Sequence, residues 1–285
     1  MDKYKLLELM INTANSSDVT KLRLRDWNKI IRWEIEGESF YWSTSKEKFN
    51  FTEATEADFI ISCTEDTLDK IAHKQLPFFM AIWGTGDIVF KGSFGDAIRL
   101  GYIFLNDKRK RKVIFISHCW LNINTRFPGG AAFPGADTMI IRTLLDSDVG
   151  IIQMPCPEYN CLGLEKYDYG KIDGEQLRNC YRRTANDVAD QIKEYKKLGY
   201  DIVGILGMNP SPSCGVEITK GKGTMLGTST DTSEDSNSGV FIDELKLLLK
   251  ENKIYNVRIF GVRRHLTGEN GNEARIEKLK NYLGK

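Results

Sequence analysis

Three short apolar runs, each closed a few residues later by a cysteine, constrain this chain more than any other feature. Residues 113–116 precede Cys119, residues 149–154 precede Cys156, and residues 202–206 precede Cys214. Continuous apolar runs bounded by Gly and Pro predict buried parallel strands, and helical patterns lie between them. In an open parallel sheet, ligands bind outside the carboxyl ends of the strands. Cysteines far apart in sequence are therefore expected at one edge of one sheet. Three thiolates meeting in a reduced compartment point to a metal or iron–sulfur site.

A chain of 285 residues is long enough for two domains, each with its own core. The formal net charge of +1 argues against a dedicated nucleic-acid binder. No stretch is long and apolar enough to span a bilayer. The first residues lead into a mixed amphipathic run, without the apolar core or small-residue cleavage site of a signal peptide. A cytoplasmic protein is expected, where thiols stay reduced. The six cysteines then read as metal-binding or catalytic rather than as a disulfide framework. The sequence sets no oligomeric state.

The basic run from Lys108 to Lys112 marks a seam, giving domains over residues 1–107 and 113–285 with 108–112 as linker. Such a run can be a nucleic-acid patch or a targeting signal, but a solvated linker is the commoner role. Before the seam, a helix is expected over 4–15 and strands over 30–35, 38–42, 48–51 and 58–62. Thr64 caps a helix running to 74, and a last helix covers 97–105. Strands followed by helices form an α+β pattern. Gly86-Asp87, Lys91-Gly92 and Gly95-Asp96 resemble the ending of the sterol carrier protein type 2 family. That resemblance covers roughly the first hundred residues and implies a twisted sheet backed by helices around a tunnel for a hydrophobic ligand. Trp27, Trp33, Trp42, Phe78, Phe79, Trp83 and Phe90 either line such a tunnel or fill an ordinary core.

Beyond the seam, strand, loop and helix repeat. Helices are expected over 136–145, 174–198, 241–250 and 273–283, and a fourth strand over 257–262. This alternation predicts an α/β doubly wound parallel sheet. The polar, Gly/Ser/Thr-rich stretch 221–239 reads as a mobile surface loop or lid.

Each cysteine loop has its own chemistry. Prolines beside Cys156 and Cys214 restrict the backbone, and Gly215 is expected to let it approach a bulky ligand. The motifs Ser117-His118-Cys119-Trp120-Leu121, Arg126-Phe127-Pro128-Gly129-Gly130, Cys156-Pro157-Glu158 and Ser211-Pro212-Ser213-Cys214-Gly215 resemble the 2-thiouracil desulfidase family. The resemblance implies a [4Fe-4S] cluster held by Cys119, Cys156 and Cys214, leaving one iron open, with Glu158 and Ser213 facing substrate. Thr125 stands where the family usually has a further cysteine, and residues 159–164 replace its usual Gly-Leu-Pro segment. A related, divergent branch is implied, with a small-molecule thiolated substrate.

The residues support this reading independently. Soft thiolates select iron–sulfur clusters or zinc, and a structural zinc site favours a fourth protein ligand and close Cys-x-x-Cys pairs, which are missing here. Glu158 is the candidate general base and acid, its pKa expected to be raised beside an anionic cluster. It can instead serve the backbone of its own loop. Ser211 and Ser213 bind substrate or serve turn chemistry. Cys161 can replace Cys156 or relay sulfur, whereas Cys180 and Cys63 read as packing residues. His118 stands beside the first ligand, as a supporting or a merely structural residue. Arg263, Arg264 and His265 reach the same sheet edge, to contact an anionic substrate or simply to be solvated. That Arg126 compensates cluster charge is implied by the family resemblance alone. Asp201 lies at the opposite edge. Two other functions stay open: a hydrophobic-ligand carrier with a structural or sensory metal module, and a zinc hydrolase.

Overall fold

The structure, a computed structural model, describes residues 2–105, 111–126, 129–131, 133–166, 169, 172–264 and 271–284. Chain contacts divide it into Met1–Arg109 and Lys110–Lys285.

The first unit begins with α1 (Lys3–Asn15) and α2 (Asp18–Leu24), followed by β1 (Ile30–Ile35), β2 (Glu38–Ser45), β3 (Lys48–Phe51) and β4 (Phe59–Cys63). It continues with α3 (Glu65–Ala72), a π-helical turn at Met80–Gly84, β5 (Ile88–Lys91) and α4 (Phe94–Ile103). The sheet order is β3-β2-β1-β4-β5, antiparallel except for the β1–β4 pair. Two-residue turns join β1 to β2 and β2 to β3, with positive φ at Glu36, Gly37, Lys46 and Glu47. That handedness matches the twist of paired strands. Thr64 accepts from the Thr67 amide at 3.2 Å and starts α3, as its sequence position suggested. Ser93 likewise caps α4, which therefore begins ahead of the expected residue 97. The strand expected over 38–42 runs on to Ser45, because its far half pairs with β3.

The aromatic residues proposed for a tunnel mostly form a core. Trp33, Trp42 and Phe78 are fully buried, and Trp27 is nearly so. They pack on one another and on Phe49, Phe59 and Phe104, with ring centroids 5.0 to 6.4 Å apart. Trp83 instead sits at the surface, stacked on Phe79. None of the seven lines the cavity of about 570 Å3 in this unit, which is bounded by Tyr4, Phe40, Tyr41 and Phe51.

The second unit opens with β6 (Lys112–Ser117), α5 (His118–Leu121), α6 (Thr138–Leu145), β7 (Gly150–Met154), α7 (Pro157–Leu162) and α8 (Gly174–Lys197). Next come β8 (Asp201–Asn209), β9 (Thr219–Lys220), α9 (Lys222–Met225), β10 (Glu234–Asp235), α10 (Val240–Glu251), β11 (Ile259–Arg263) and α11 (Gly271–Leu283). Its parallel sheet has the order β11-β8-β6-β7. Both faces of β6 are buried. Val113 and Phe115 join the core formed with α8 and α10, while Ile114 and Ile116 join the one formed with α6 and α11. Burial on both sides explains why the strand reads as a continuous apolar run.

Two sequence expectations change here. Lys112 opens β6, and Arg111 packs its guanidinium 4.3 Å from the Tyr200 ring centroid and donates to the Leu198 carbonyl. The end of the supposed linker is thus part of the second unit, while residues 106–110 lie outside the described residues. The stretch expected as a mobile surface loop or lid contains α9 and β10, which pairs with β9 just ahead of it. It is anchored by Lys222, which donates to the Ser238 carbonyl and to Asp243, both at 2.6 Å. Among the described residues, no helix is long and apolar enough to cross a membrane.

Candidate functional site

The parallel register carries three loops to one edge of the sheet. Ser117 at the end of β6 lies beside Met154 at the end of β7, and β8 ends at Asn209. Cys119, Cys156 and Cys214 follow these ends. All three are free and at most 9% exposed. Cys119 lies on α5, and Cys156 caps α7, its Sγ accepting the Tyr159 amide at 3.4 Å with Pro157 as the first helical residue. Pro at that position needs no amide partner, which makes such a short helix possible.

The thiols are close enough to influence one another. Burial pushes Cys119 up to about 12, with Cys156 adding to the shift. Burial also raises Cys214, reinforced by Cys119 and Cys156, and it raises Cys156. Buried, protonated thiols make poor free nucleophiles. Cys63, half-buried in the first unit, is likewise pushed up to about 12 by burial.

Glu158 forms the polar centre of the site. Its Oε1 accepts from Ser213 Oγ at 2.7 Å, and its Oε2 pairs with Lys166 Nζ at 2.9 Å. Both partners are buried: Ser213 is 1% exposed and the Lys166 side chain 4%. Burial is the largest single influence on Glu158 and pushes its pKa up. Lys166, Ser213 and Arg126 outweigh it, so the carboxyl lies below its usual range. This reverses the sequence expectation, which did not include Lys166. The Tyr169 and Tyr181 hydroxyls are both raised, first by burial and then by the Glu158 charge.

The Ser211 hydroxyl accepts the amides of Ser213 and Cys214 at 3.3 and 3.1 Å and lies 3.1 Å from Ser213 Oγ. It builds the loop and holds Ser213 in place. Gly215 also serves the loop: a Cβ there would lie 2.4 Å from the Ile218 carbonyl and 2.6 Å from that of Ser211. The expected approach to a ligand is not the reason for this glycine.

Other expectations fare differently. Cys161 and Cys180 form a disulfide joining α7 to α8, with Cα atoms 6.0 Å apart. Cys161 is thereby neither a ligand nor a sulfur relay in this state, and Cys180 is more than a packing residue. The two helices lie side by side, which brings the sulfurs together. Arg263 ends β11 beside Asn209, at the expected sheet edge, and pairs with Glu234 at 2.7 Å. His265 lies outside the described residues, as do Phe127 and Pro128. Asp201 opens β8 at the opposite sheet edge, as expected. The residues that sequence reasoning missed are Lys166 and Tyr169, which carry no motif of their own.

A cavity of about 350 Å3 is lined by Glu158, Arg126, Tyr169, Pro212 and Met225. The Ser117 side chain hydrogen-bonds Cys214, and the neighbouring His118 Nε2 is buried without a hydrogen-bond partner among the described residues. Burial also holds the His118 imidazole below its ordinary value. Three free, buried cysteines following the ends of adjacent strands are a donor set of the kind iron–sulfur clusters take. Among the described residues, no three His, Cys, Asp or Glu side chains are placed to hold a single metal ion.

No family model matches the chain. The uncharacterized protein MJ0003 of Methanocaldococcus jannaschii is 29% identical over 118 residues, or 41% of this chain and 74% of that protein. A sterol carrier protein-2 like-3 structure from Aedes aegypti aligns at 17% identity with a TM-score of 0.29, covering 36% of this chain and 97% of that one. The UbiJ-SCP2 ubiquinone synthesis protein aligns at 17% identity and 0.30, with coverages of 36% and 91%. The inverting sec-alkylsulfatase Pisa1 from Pseudomonas sp. aligns at 20% identity and 0.25 over 31% of this chain, which spans 14% of that enzyme.

Proposed function

We propose that this protein is an iron–sulfur-dependent desulfidase that removes sulfur, as sulfide, from a thiocarbonyl-containing small molecule such as a thiolated nucleobase or related heterocycle. The observation that carries this reading is the meeting of three free, buried cysteines with the Glu158–Ser213–Lys166 cluster at one sheet edge. The strand order, with β6 and β8 central and helices on both faces, supports the reading of a doubly wound sheet, a fold whose ligands bind outside the carboxyl ends of its strands.

Cys119, Cys156 and Cys214 would hold a [4Fe-4S] cluster, which supplies a Lewis acid for a sulfur atom at its open iron. The rest of the chemistry falls to the chain. Ionised Glu158, lining the cavity, takes a proton from a water directed at the thiocarbonyl carbon. Ser213 and Lys166 hold its two oxygens in one orientation. Tyr169 and Met225 offer an apolar wall for a planar ring. The carbon–sulfur double bond becomes a carbon–oxygen double bond, the oxygen comes from water, and hydrogen sulfide leaves. No electrons are exchanged with a redox partner.

The test is anaerobic purification with iron, sulfide and zinc measured per chain. The expected result is about four irons and four sulfides, lost in Cys119→Ala, Cys156→Ala and Cys214→Ala. Glu158→Gln is expected to keep the metal while lowering turnover about 10²- to 10⁴-fold. Zinc alone, or no metal after reconstitution, would overturn the cluster.

The apolar cavity bounded by Tyr4, Phe40, Tyr41 and Phe51 favours a second reading, that of a hydrophobic-ligand carrier. Saturable binding of a fluorescent fatty acid, weakened by Phe40→Glu, would support it.

A further inference from the structure

A second cavity at this sheet edge, of about 280 Å3, is lined by three cationic residues, Arg126, Lys220 and Arg264. Among the described residues no carboxylate lines it. Among the described residues, Glu234 stands opposite Lys220 across the β9–β10 pair and feels its charge, but its hydrogen bonds go to Arg263. Glu217 accepts from Asn209 at 2.5 Å and from the Gly261 amide at 3.1 Å. Glu158, which attracts Arg126, lines the neighbouring cavity and is bonded to Lys166 and Ser213. Arg264 is fixed by donating to the Gly130 carbonyl at 2.7 Å. Its pKa is lowered, first by burial and then by the charge of Arg126, so the two guanidiniums face each other in mutual repulsion.

Arg126 and Pro212 also line the 350 Å3 cavity that holds Glu158, Tyr169 and Met225. The two cavities therefore share a wall, one apolar with a single carboxylate and the other cationic. We propose that the Arg126–Lys220–Arg264 cavity binds an anionic group, a carboxylate or phosphate, of a small molecule whose apolar body lies against Tyr169 and Met225. Guanidinium forks suit both anions, since they can donate two parallel hydrogen bonds, and an ammonium adds a point charge. The site depends on the placement of these cations and stands whether or not the cysteines hold iron.

The test is titration calorimetry of the full chain at fixed ionic strength, with inorganic phosphate and, separately, benzoate. Saturable binding of either is expected, and the one that binds names the anion class. Arg264→Gln and Lys220→Gln should each weaken it about tenfold, the loss of roughly one charge-assisted hydrogen bond. Arg264 also supports the chain near Gly130, so Arg264→Gln could weaken the fold. Lys220 is exposed, so Lys220→Gln reads binding alone, and melting curves identify any misfolded variant. No saturable binding of either probe, or affinities unchanged in Lys220→Gln, would overturn the proposal. Neither readout needs metal or turnover, so this failure is distinct from failure of the desulfidase reading.

Discussion

The two units each contain a buried cluster that the sequence offered as a ligand site, and the clusters differ in what satisfies them. In the first, Trp33, Trp42, Phe49, Phe78 and Phe104 meet ring to ring and fill their own space. Only the indole N–H groups of Trp33 and Trp42 are left without acceptors among its aromatic rings. In the second, thiols, a carboxylate and an ammonium are buried together, with the carboxylate held by the ammonium and by Ser213. Apolar groups can close a core without any partner. Buried polar groups hold an arrangement that costs stability, and such an arrangement needs a reason such as chemistry.

The comparison breaks first at Trp42. If the aromatic cluster is core, Trp42→Ala should cost about 3–5 kcal/mol in chemical denaturation. A cost near 1 kcal/mol would mean that the ring borders empty, ligand-accessible space. The polar cluster makes the next largest prediction. Lys166→Met should cost about 3–5 kcal/mol, because it strands a buried carboxylate. Combined with Glu158→Gln, the double variant should lose at least about 1 kcal/mol less than the sum of the single changes. Strict additivity would show that the pair is not coupled.

The disulfide gives a third, smaller effect. Its partners are 19 residues apart, so a Cys161→Ser, Cys180→Ser double variant should lose about 3 kcal/mol at neutral pH without reductant. The gap should vanish when both proteins are measured in excess dithiol.

The smallest effect lies at Asp58, whose carboxyl accepts the Ile30 amide at 2.7 Å and the Lys29 ammonium at 3.2 Å. The Ile30 amide is the main influence holding its pKa down, with Lys29 helping against burial. A depressed folded value means its stabilisation is complete above the unfolded value, about 3.9, and is lost as pH falls through the lower folded value. The side chain is 39% exposed, so Asp58→Asn should cost about 1 kcal/mol or less at pH 7. That difference should disappear in urea titrations near pH 2.

The same contrast explains what the sequence disclosed. Strands β1 and β3 form at the expected residues because hairpin turns and side-chain alternation are local signals. The three cysteine loops were legible because apolar runs announce buried strands. Helices α5 and α7, of 4 and 6 residues, have no room for a period and rest on caps and proline geometry. Helix α2 was missed because its apolar positions are few and Leu22 is 70% exposed. In the site, Cys156 and Glu158 are neighbours in sequence and were visible together. Lys166 comes from the loop beyond α7 and reaches Glu158 only through the fold, which is why the sign of the carboxyl's shift could not be read. The Cys161–Cys180 bond was hidden for the same reason, since spacing alone does not give connectivity.

Strand β6 is where the two cores of the second unit are joined, because its odd-numbered side chains from Val113 serve one and its even-numbered ones the other. Inserting or deleting one residue inside it would hand each core the side chains cut for its counterpart. It would also carry Ser117 to the opposite face and displace Cys119 from its two companions. The strand is therefore a stretch whose length cannot drift, even though every residue in it could be exchanged for another of similar bulk. Changes of length in this unit belong in its surface loops, and a comparison of natural variants should find them there.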